Sequence, residues 1–224
     1  MAPELRELLL AQGLPSSSAD RVLEYHRRVV DENQRQNLTR LTEPGPFFSG
    51  HVLDVLELRK ARTSWGESAG AKWIDLGSGA GVPGLLSAAL FQDERWVLVE
   101  AERRKAEFLE RAAAELGLGA RVRVIHARME KIREDLDAEA VASKAVGPVG
   151  RLYPWLKESS TWNSLVLFKG PRWAEEWTEF KKGPEANELE ASNEWRYSTP
   201  EGAPRLIIQL RRVSRGTGIR PKRS

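Results

Sequence analysis

Residues 72–84 read KWIDLGSGAGVPG, and this stretch decides the fold. An apolar run ends near Asp75 and leads into a turn that contains four glycines, Gly77, Gly79, Gly81 and Gly84. Because glycine has no Cβ, alternating glycines let a ligand approach the backbone closely. The segment GLLSAALF, which begins at Gly84, can form a helix whose free N–H groups face the same ligand. The sequence therefore predicts a strand, a ligand-binding loop and a helix in succession.

Two cofactor classes use a loop of this kind. The dinucleotide fingerprint G-x-G-x-x-G fits only when it is read from Gly79, late after the strand and with Pro83 inside it. The S-adenosylmethionine (SAM) pattern, an acid followed by G-x-G-x-G, fits residues 75–81 directly. We expect the Asp75 carboxylate to help hold the ammonium group of the methionine moiety, directly or through water. A glycine turn that only starts the helix, with no ligand, is the alternative.

The next predicted strand supplies a second acid. Residues 95–100 read RWVLVE and end in Glu100. An acid at this position can accept hydrogen bonds from both hydroxyls of a ribose, which suits the adenosine of either cofactor. Its position relative to the glycine loop favours this role over that of a solvated acid at a strand end.

Composition excludes several classes of protein. The chain has 224 residues, which suits one domain with an extension, and it has no cysteine, so disulfides and thiolate chemistry are excluded. Three scattered histidines argue against a metal site, and we expect none. The sequence has neither a membrane-length apolar run nor a secretory signal, so a cytoplasmic protein without membrane contact is expected.

The basic residues are unevenly distributed. The net charge is only +3, yet residues 205–224 contain no acid and seven basic residues, Arg205, Arg211, Arg212, Arg215, Arg220, Lys222 and Arg223. Such a segment indicates binding to phosphates. A disordered solubilising tail is the alternative. We expect residues 214–224 to be a flexible basic tail.

The chain divides into a helical part and an alternating part. Helices are predicted at 3–10, from a cap at Ser18, and at 48–60, which makes residues 1–65 an N-terminal helical extension. Over residues 66–213, strands and helices alternate, which predicts a parallel, doubly wound sheet. A short helix is expected at 130–136.

The C-terminal segment separates the two cofactor classes. A turn at 200–204 connects a short strand at 195–198 to the strand RLIIQLRRV. Because this connection is short, the two strands must pair antiparallel. An antiparallel hairpin that closes a parallel sheet is the architecture of SAM-dependent methyltransferases, whereas a dinucleotide domain would continue with crossover helices. The aromatic stripe Trp173, Trp177 and Phe180 has helical spacing, which favours core packing over base stacking.

Several motifs together resemble one family. They are NLT at 37–39, DLGSGAGVPG at 75–84, RRKAEFL at 103–109, SKAVGPVGRLYPW at 143–155 and FKG at 168–170. The chain resembles the bacterial family of 16S rRNA guanine-N7 methyltransferases, also called glucose-inhibited division protein B. The resemblance implies a Rossmann-like class I SAM-dependent methyltransferase with a mostly parallel seven-stranded sheet. It also implies methylation of nitrogen 7 of one guanine in the decoding-region loop of 16S rRNA, in the small ribosomal subunit. We expect the protein to act as a monomer.

The resemblance also assigns residues to the site. It implies a cofactor set of Asp75, Gly77, Gly79, Gly81, Val82, Glu100, Met129, Glu130 and Lys144. Positioning of the substrate would fall to Lys144, Lys169 and Arg128, and RNA binding to Arg128, Arg151, Lys169 and Arg205. The basic C-terminal segment adds Arg211 and Arg212 to the expected RNA-binding residues. Lys144 stands where the family usually has arginine, so it keeps the charge without the planar donor geometry. Asn37, His51 and Asp54 are expected to form a buried polar network that braces the extension.

The implied chemistry needs no general base. Nitrogen 7 of guanine has a lone pair and no proton, so it can attack the methyl carbon of the sulfonium directly, in line with the departing sulfur. Catalysis then depends on alignment within about 3 to 3.5 Å. Two other readings stay open: a NAD-dependent oxidoreductase, and a noncatalytic RNA-binding protein with a methyltransferase fold, which the replacement at Lys144 favours.

Overall fold

The computed structural model describes residues 2–67, 70–132, 136–157 and 162–213. Its first part is helical. The helices are α1 (Ala2–Ala11), α2 (Ser16–Asn33), α3 (Pro44–Phe47), a π-helical turn (Phe48–Val52) and α4 (Leu53–Ser64). The predicted third helix is therefore longer than expected, and a π-helical turn follows its first four residues.

A seven-stranded sheet follows. The strands are β1 (Lys72–Leu76), β2 (Arg95–Glu100), β3 (Val122–His126), β4 (Ala140–Lys144), β5 (Ser164–Lys169), β6 (Leu189–Ser198) and β7 (Pro204–Arg212). Their order is β3-β2-β1-β4-β5-β7-β6. The first five strands are parallel, β7 runs antiparallel to β5, and β6 pairs antiparallel with β7. The predicted parallel sheet with an antiparallel hairpin is confirmed, and the strand order reverses between β1 and β4, where ligands bind in such sheets.

Four α-helices and one short 3₁₀ turn connect the strands. They are α5 (Gly84–Leu90), α6 (Arg103–Glu115), the 3₁₀ turn (Met129–Lys131), α7 (Val149–Leu156) and α8 (Trp173–Phe180). The helix expected at 130–136 is only this one turn as far as residue 132, and residues 133–135 lie outside the described chain.

The predicted cap at Ser18 is wrong. Helix α2 begins at Ser16, directly after Pro15, and Ser18 lies within its first turn. The Ser18 hydroxyl donates a hydrogen bond to Leu90 O at 2.8 Å, at the end of α5. A long-range partner therefore uses the side chain that the local pattern assigned to the cap.

Two hydrophobic clusters cover the two faces of the sheet. Consecutive β1 residues Trp73 and Ile74 lie in different clusters, because successive side chains of a strand point to opposite faces. The first cluster includes Leu9 and Val22 from the helical part, so the extension shares a core with the sheet. A domain boundary at residue 65 remains a prediction. No helix within the described residues is long and apolar enough to cross a membrane.

The aromatic residues of α8 belong mainly to this core. Trp173 and Phe180 are each 7% exposed, and both lie in the second cluster. Trp177 is half-buried, with its ring stacked between theirs at centroid distances of 5.5 and 5.4 Å. Core packing is therefore the role of this stripe, as expected.

Candidate active site at the carboxyl edge of the sheet

The glycine loop joins β1 to α5 at the point where the strand order reverses. Gly77 has φ +73°, a conformation that favours glycine, and a Cβ there would lie 2.5 Å from Val146 Cγ2. The Gly77 N–H donates to Val99 O at 2.9 Å, which joins the loop to β2. Backbone angle and close packing thus both require glycine at this position.

Asp75 lies beneath the loop. Its side chain is fully buried, and Oδ2 accepts a hydrogen bond from the Gly84 N–H at 2.9 Å, at the start of α5. Among the described residues, Oδ1 has no hydrogen-bond partner. Burial raises the pKa of Asp75 to about 7, and the nearby Glu100 charge adds to the effect. In this geometry the carboxylate holds the loop and the helix together, and it does not face the pocket described below.

Glu100 joins the loop to the end of β2. Its Oε2 accepts from the Gly79 N–H and its Oε1 from the Glu102 N–H, both at 2.8 Å. The residue is 8% exposed. Since a carboxylate has about four lone-pair directions, these two bonds leave acceptor capacity for two hydroxyls.

A pocket of about 290 Å³ opens beside these residues. Its lining consists of Leu76, Gly77, Val99, Glu100, Ala101, Ala127, Arg128, Met129, Glu130, Val146, Arg151 and Trp155. Apolar side chains form most of the wall, and one buried carboxylate supplies the polar anchor. Small-molecule sites have this composition. An adenosine fits it, because the base needs apolar walls and the ribose needs an acceptor.

Some of the expected site residues line the pocket, and others do not. It brings together Gly77, Glu100, Met129 and Glu130, the last two of which come from the 3₁₀ turn after β3. The loop residues 79, 81 and 82 are not in its lining. Val146 and Trp155 line the pocket without having been singled out from the sequence. Their place after the end of β4, inside the SKAVGPVGRLYPW motif, was the available signal.

Two arginines stand at the pocket mouth. Arg128 is 69% exposed on its side chain, with Nη1 4.0 Å from Glu130 Oε1. Arg151 is exposed, and its guanidinium lies 5.4 Å from the centroid of the Trp155 ring. Both can reach an anionic ligand that covers the pocket.

Lys169 lies at the end of β5, in the wall of a neighbouring groove of about 590 Å³. Its Nζ is 2.7 Å from Glu176 Oε1 and donates to Gly147 O at 3.1 Å. The groove shares its edge with the loop after β4, and the exposed Arg172 adds a second cation. The geometry therefore places Lys169 beside the pocket without placing it in the pocket wall.

Lys144 does not line the pocket, although we expected it beside the cofactor. It is the last residue of β4, and its Nζ is 2.9 Å from Asp54 Oδ2 and 2.6 Å from Gly50 O. The neighbouring His51 is buried, and desolvation lowers its pKa to about 3, with a further contribution from the Lys144 charge. Lys144, His51 and Asp54 thus form the bracing network, whereas Asn37 is exposed.

The three C-terminal arginines lie at opposite edges of the sheet. Arg205 stands near the pocket edge, one residue before the pair Leu206–Lys169. Arg211 pairs with Ser164, the first residue of β5, so it lies at the edge of the sheet opposite the pocket. Its distance from Leu206 along β7 is about 17 Å. Arg212 stacks on Trp162 at 4.0 Å and donates to Leu156 O at 3.0 Å, at the end of α7. The structure therefore separates Arg211 and Arg212 from the pocket, because an antiparallel strand runs away from the ligand edge.

Solved structures share this fold. A protein of the NADB-Rossmann superfamily from Streptococcus agalactiae superposes with a TM-score of 0.53 at 17% identity, over 72% of this chain and 70% of that one. A human methyltransferase 10 domain containing protein gives a TM-score of 0.53 at 10% identity, over 70% and 82%. The order of the strands, the closing hairpin and the pocket define a Rossmann-like methyltransferase fold.

The family follows from sequence comparison. The family model for rRNA small subunit methyltransferase G matches residues 19–200. Similar proteins of that name are found in Rhizorhabdus wittichii, 30% identical over 204 residues (87% of this chain, 86% of the relative), and in Sorangium cellulosum, 39% identical over 160 residues (70% and 66%). The chain belongs to the rRNA small subunit methyltransferase G family. Family and fold together imply SAM as its cofactor.

Proposed function

We propose that this protein transfers a methyl group from SAM to nitrogen 7 of a guanine in the decoding-region loop of 16S rRNA. The observation that carries the proposal is the pocket between Gly77, Glu100 and Met129, at the edge where the sheet binds ligands, in a chain of the rRNA methyltransferase family. The substrate is proposed to be the assembled small ribosomal subunit and the active form a monomer. Action on ribosomal RNA would place the protein in the cytoplasm.

Each part of the pocket suits a part of the cofactor. Glu100 offers acceptors for the ribose, the buried Met129 offers an apolar surface for the adenine, and the backbone at Gly77 is open to the methionine end. The bound cofactor would supply an electrophilic methyl group on a cationic sulfur. The negative charge of Glu100 favours a cation in this pocket.

The proposed reaction requires positioning and no proton transfer. The lone pair of guanine nitrogen 7 forms the new bond to the methyl carbon while the carbon–sulfur bond breaks, and no proton has to leave. We assign Arg128, Arg151, Lys169 and Arg205 to binding of RNA phosphates and of the guanine oxygen. A target in a loop suits this site, since a paired A-form helix hides nitrogen 7 in its deep, narrow groove.

The two rival functions now have less support. A NAD-dependent oxidoreductase does not account for the antiparallel β6–β7 hairpin or for the family match. A noncatalytic RNA-binding protein remains distinguishable by cofactor affinity, because it would need no pocket for SAM.

The experiment is transfer of a radiolabelled methyl group from SAM to small ribosomal subunits, followed by nucleoside analysis of the RNA. Subunits from cells that lack base modification at the site are the substrate, and fully modified subunits are the matched control. Labelled 7-methylguanosine in 16S rRNA from the first preparation alone supports the proposal. Label in another nucleoside, or SAM binding without any transfer, overturns it.

A further inference from the structure

One buried carboxylate connects three distant parts of the chain. Asp54, on α4, is 1% exposed; its Oδ2 lies 2.9 Å from Lys144 Nζ, and its Oδ1 accepts a hydrogen bond from the Tyr197 hydroxyl on β6 at 2.7 Å. The ammonium group of Lys144 also donates to Gly50 O at 2.6 Å. Because an unpaired buried charge is costly, these partners hold each other strongly in place.

The residue after Lys144 has an unfavourable backbone conformation. Ala145 has φ +60°, in the left-handed region that residues with a Cβ seldom adopt. Its side chain is exposed, so packing around its methyl group does not hold it there. On the N-terminal side of Ala145, Lys144 is held by Asp54 and by Gly50 O. On the other side, Lys169 Nζ donates to Gly147 O at 3.1 Å, and Glu176 Oε1 accepts from the Val149 N–H at 2.8 Å.

The segment between these anchors forms part of the pocket. Val146 lines the pocket, and it occupies the space into which a Cβ on Gly77 would point. A change of conformation at Ala145 would therefore move Val146 relative to the glycine loop. The position of the Lys144 side chain thus bears on the shape of the cofactor site, although Lys144 does not line it.

We propose that Lys144 and Asp54 are positioning residues, which hold residues 145–147 in the conformation that completes the cofactor pocket. In this role the N-terminal extension contributes Asp54 to the site from a helix that does not reach the pocket. The inference deepens the proposed function and rests on it for its ligand.

Binding of S-adenosylhomocysteine, measured by titration calorimetry, tests the proposal without any need for turnover. Lys144→Met should weaken binding about fivefold to thirtyfold, because the loop then leaves the left-handed conformation that binding requires. Lys144→Arg should bind as the unaltered chain does. Lys72→Met is the matched control, since Lys72 pairs with Asp137 at 3.3 Å at the other edge of the sheet.

A second substitution separates positioning from a merely structural effect. Ala145→Gly removes the penalty of the left-handed conformation, so in the Lys144→Met background it should restore about fivefold in affinity. In the unaltered chain the same substitution should change affinity by less than about twofold. A Lys144→Met chain that binds normally, or one that Ala145→Gly does not improve, overturns the proposal.

Two further measurements keep the test decisive. If Lys144→Met fails to fold, the double variant Lys144→Met with Asp54→Asn removes the unpaired buried charge, and it should show the same weakened binding. If the unaltered chain binds no S-adenosylhomocysteine, the proposed function fails, and amide hydrogen exchange at residues 145–147 then decides this proposal. Faster exchange in Lys144→Met supports it, and unchanged exchange contradicts it.

Discussion

The backbone N–H of Gly79 donates to Glu100 Oε2 at 2.8 Å, so the glycine loop is bound to the residue that ends the neighbouring strand. Glu100→Gln removes the charge and one acceptor, which should loosen the loop and deprive the ribose of a partner. We expect the dissociation constant of S-adenosylhomocysteine to rise about tenfold to a hundredfold, as for hydrogen bonds to charged groups. Glu139→Gln, at an exposed position at the other edge, is the control. Equal affinities in calorimetry would exclude the role of Glu100.

Asp75 should make stability depend on pH. Burial raises its pKa from 3.8 to about 7, so over that range the folded state keeps a proton that the unfolded state has lost. The free energy of unfolding should therefore fall as pH rises, by at most about 1.4 kcal/mol per pH unit from this group. Asp75→Asn should flatten this slope in urea denaturation at several pH values. Burial also raises the pKa of Glu67. Because Glu67 is present in both proteins, it adds the same pH dependence to each, and the difference between their slopes isolates the contribution of Asp75.

Gly77→Ala should damage both stability and binding. The alanine would have to adopt an unfavourable φ of +73°, and its methyl group would lie 2.5 Å from Val146 Cγ2. Gly117 provides the control, because it has φ +69° and a Cβ there would lie more than 4 Å from every described residue other than its chain neighbours. Gly117→Ala should cost about 1 kcal/mol of stability and leave cofactor affinity unchanged. If both variants showed equal losses in thermal melts and in calorimetry, packing against Val146 would be irrelevant.

Salt dependence should distinguish the two edges of the sheet. Arg128, exposed at the pocket mouth, should contact a phosphate, so Arg128→Ala should reduce the slope of log affinity against log salt by about 0.7 to 0.9 for a 16S rRNA fragment. Arg211→Ala, also at an exposed position but at the far edge, should leave the slope unchanged. A filter-binding series over salt concentrations measures both. A smaller slope for Arg211→Ala alone would place the RNA at the other edge.

The rate of methyl transfer should be nearly independent of pH. Since guanine nitrogen 7 has no proton to lose, the single-turnover rate constant should change less than about twofold between pH 7 and 9, whereas a general base titrating there would change it about tenfold per unit. Lys169→Gln should lower the rate and keep the profile flat, if Lys169 positions the RNA. A steep profile that Lys169→Gln abolishes would identify Lys169 as a proton acceptor.

Local patterns in the sequence predicted the fold well. The glycine loop, the acids at the ends of β1 and β2 and the short connection before β7 each depend on residues close in the chain. Their conformations follow from backbone sterics and from strand geometry, which the sequence states directly. The parallel sheet with its antiparallel hairpin was therefore predictable, whereas the family was inferred from the motifs that resemble it.

Side-chain direction was not predictable in the same way. Lys144 is the last residue of β4, yet its side chain turns toward Asp54, a partner 90 positions earlier in the chain. Likewise Ser18 bonds to Leu90 instead of capping α2. Such choices depend on which buried groups lie nearby after folding. The position of Arg211, by contrast, follows from the antiparallel direction of β7, which the sequence already predicted. Grouping Arg211 with the other basic residues of the C-terminal segment hid this consequence.

The shared carboxylate of Asp54 has a consequence for the order in which the protein can form. Its partners Lys144 and Tyr197 follow it by 90 and 143 positions, so they leave the ribosome long after α4 does. Until β6 and β7 are synthesised, the hydrogen bond from Tyr197 cannot form. A nascent chain that ends before β6 should thus lack a finished cofactor site, and this enzyme should become competent only after β6 and β7 have been translated.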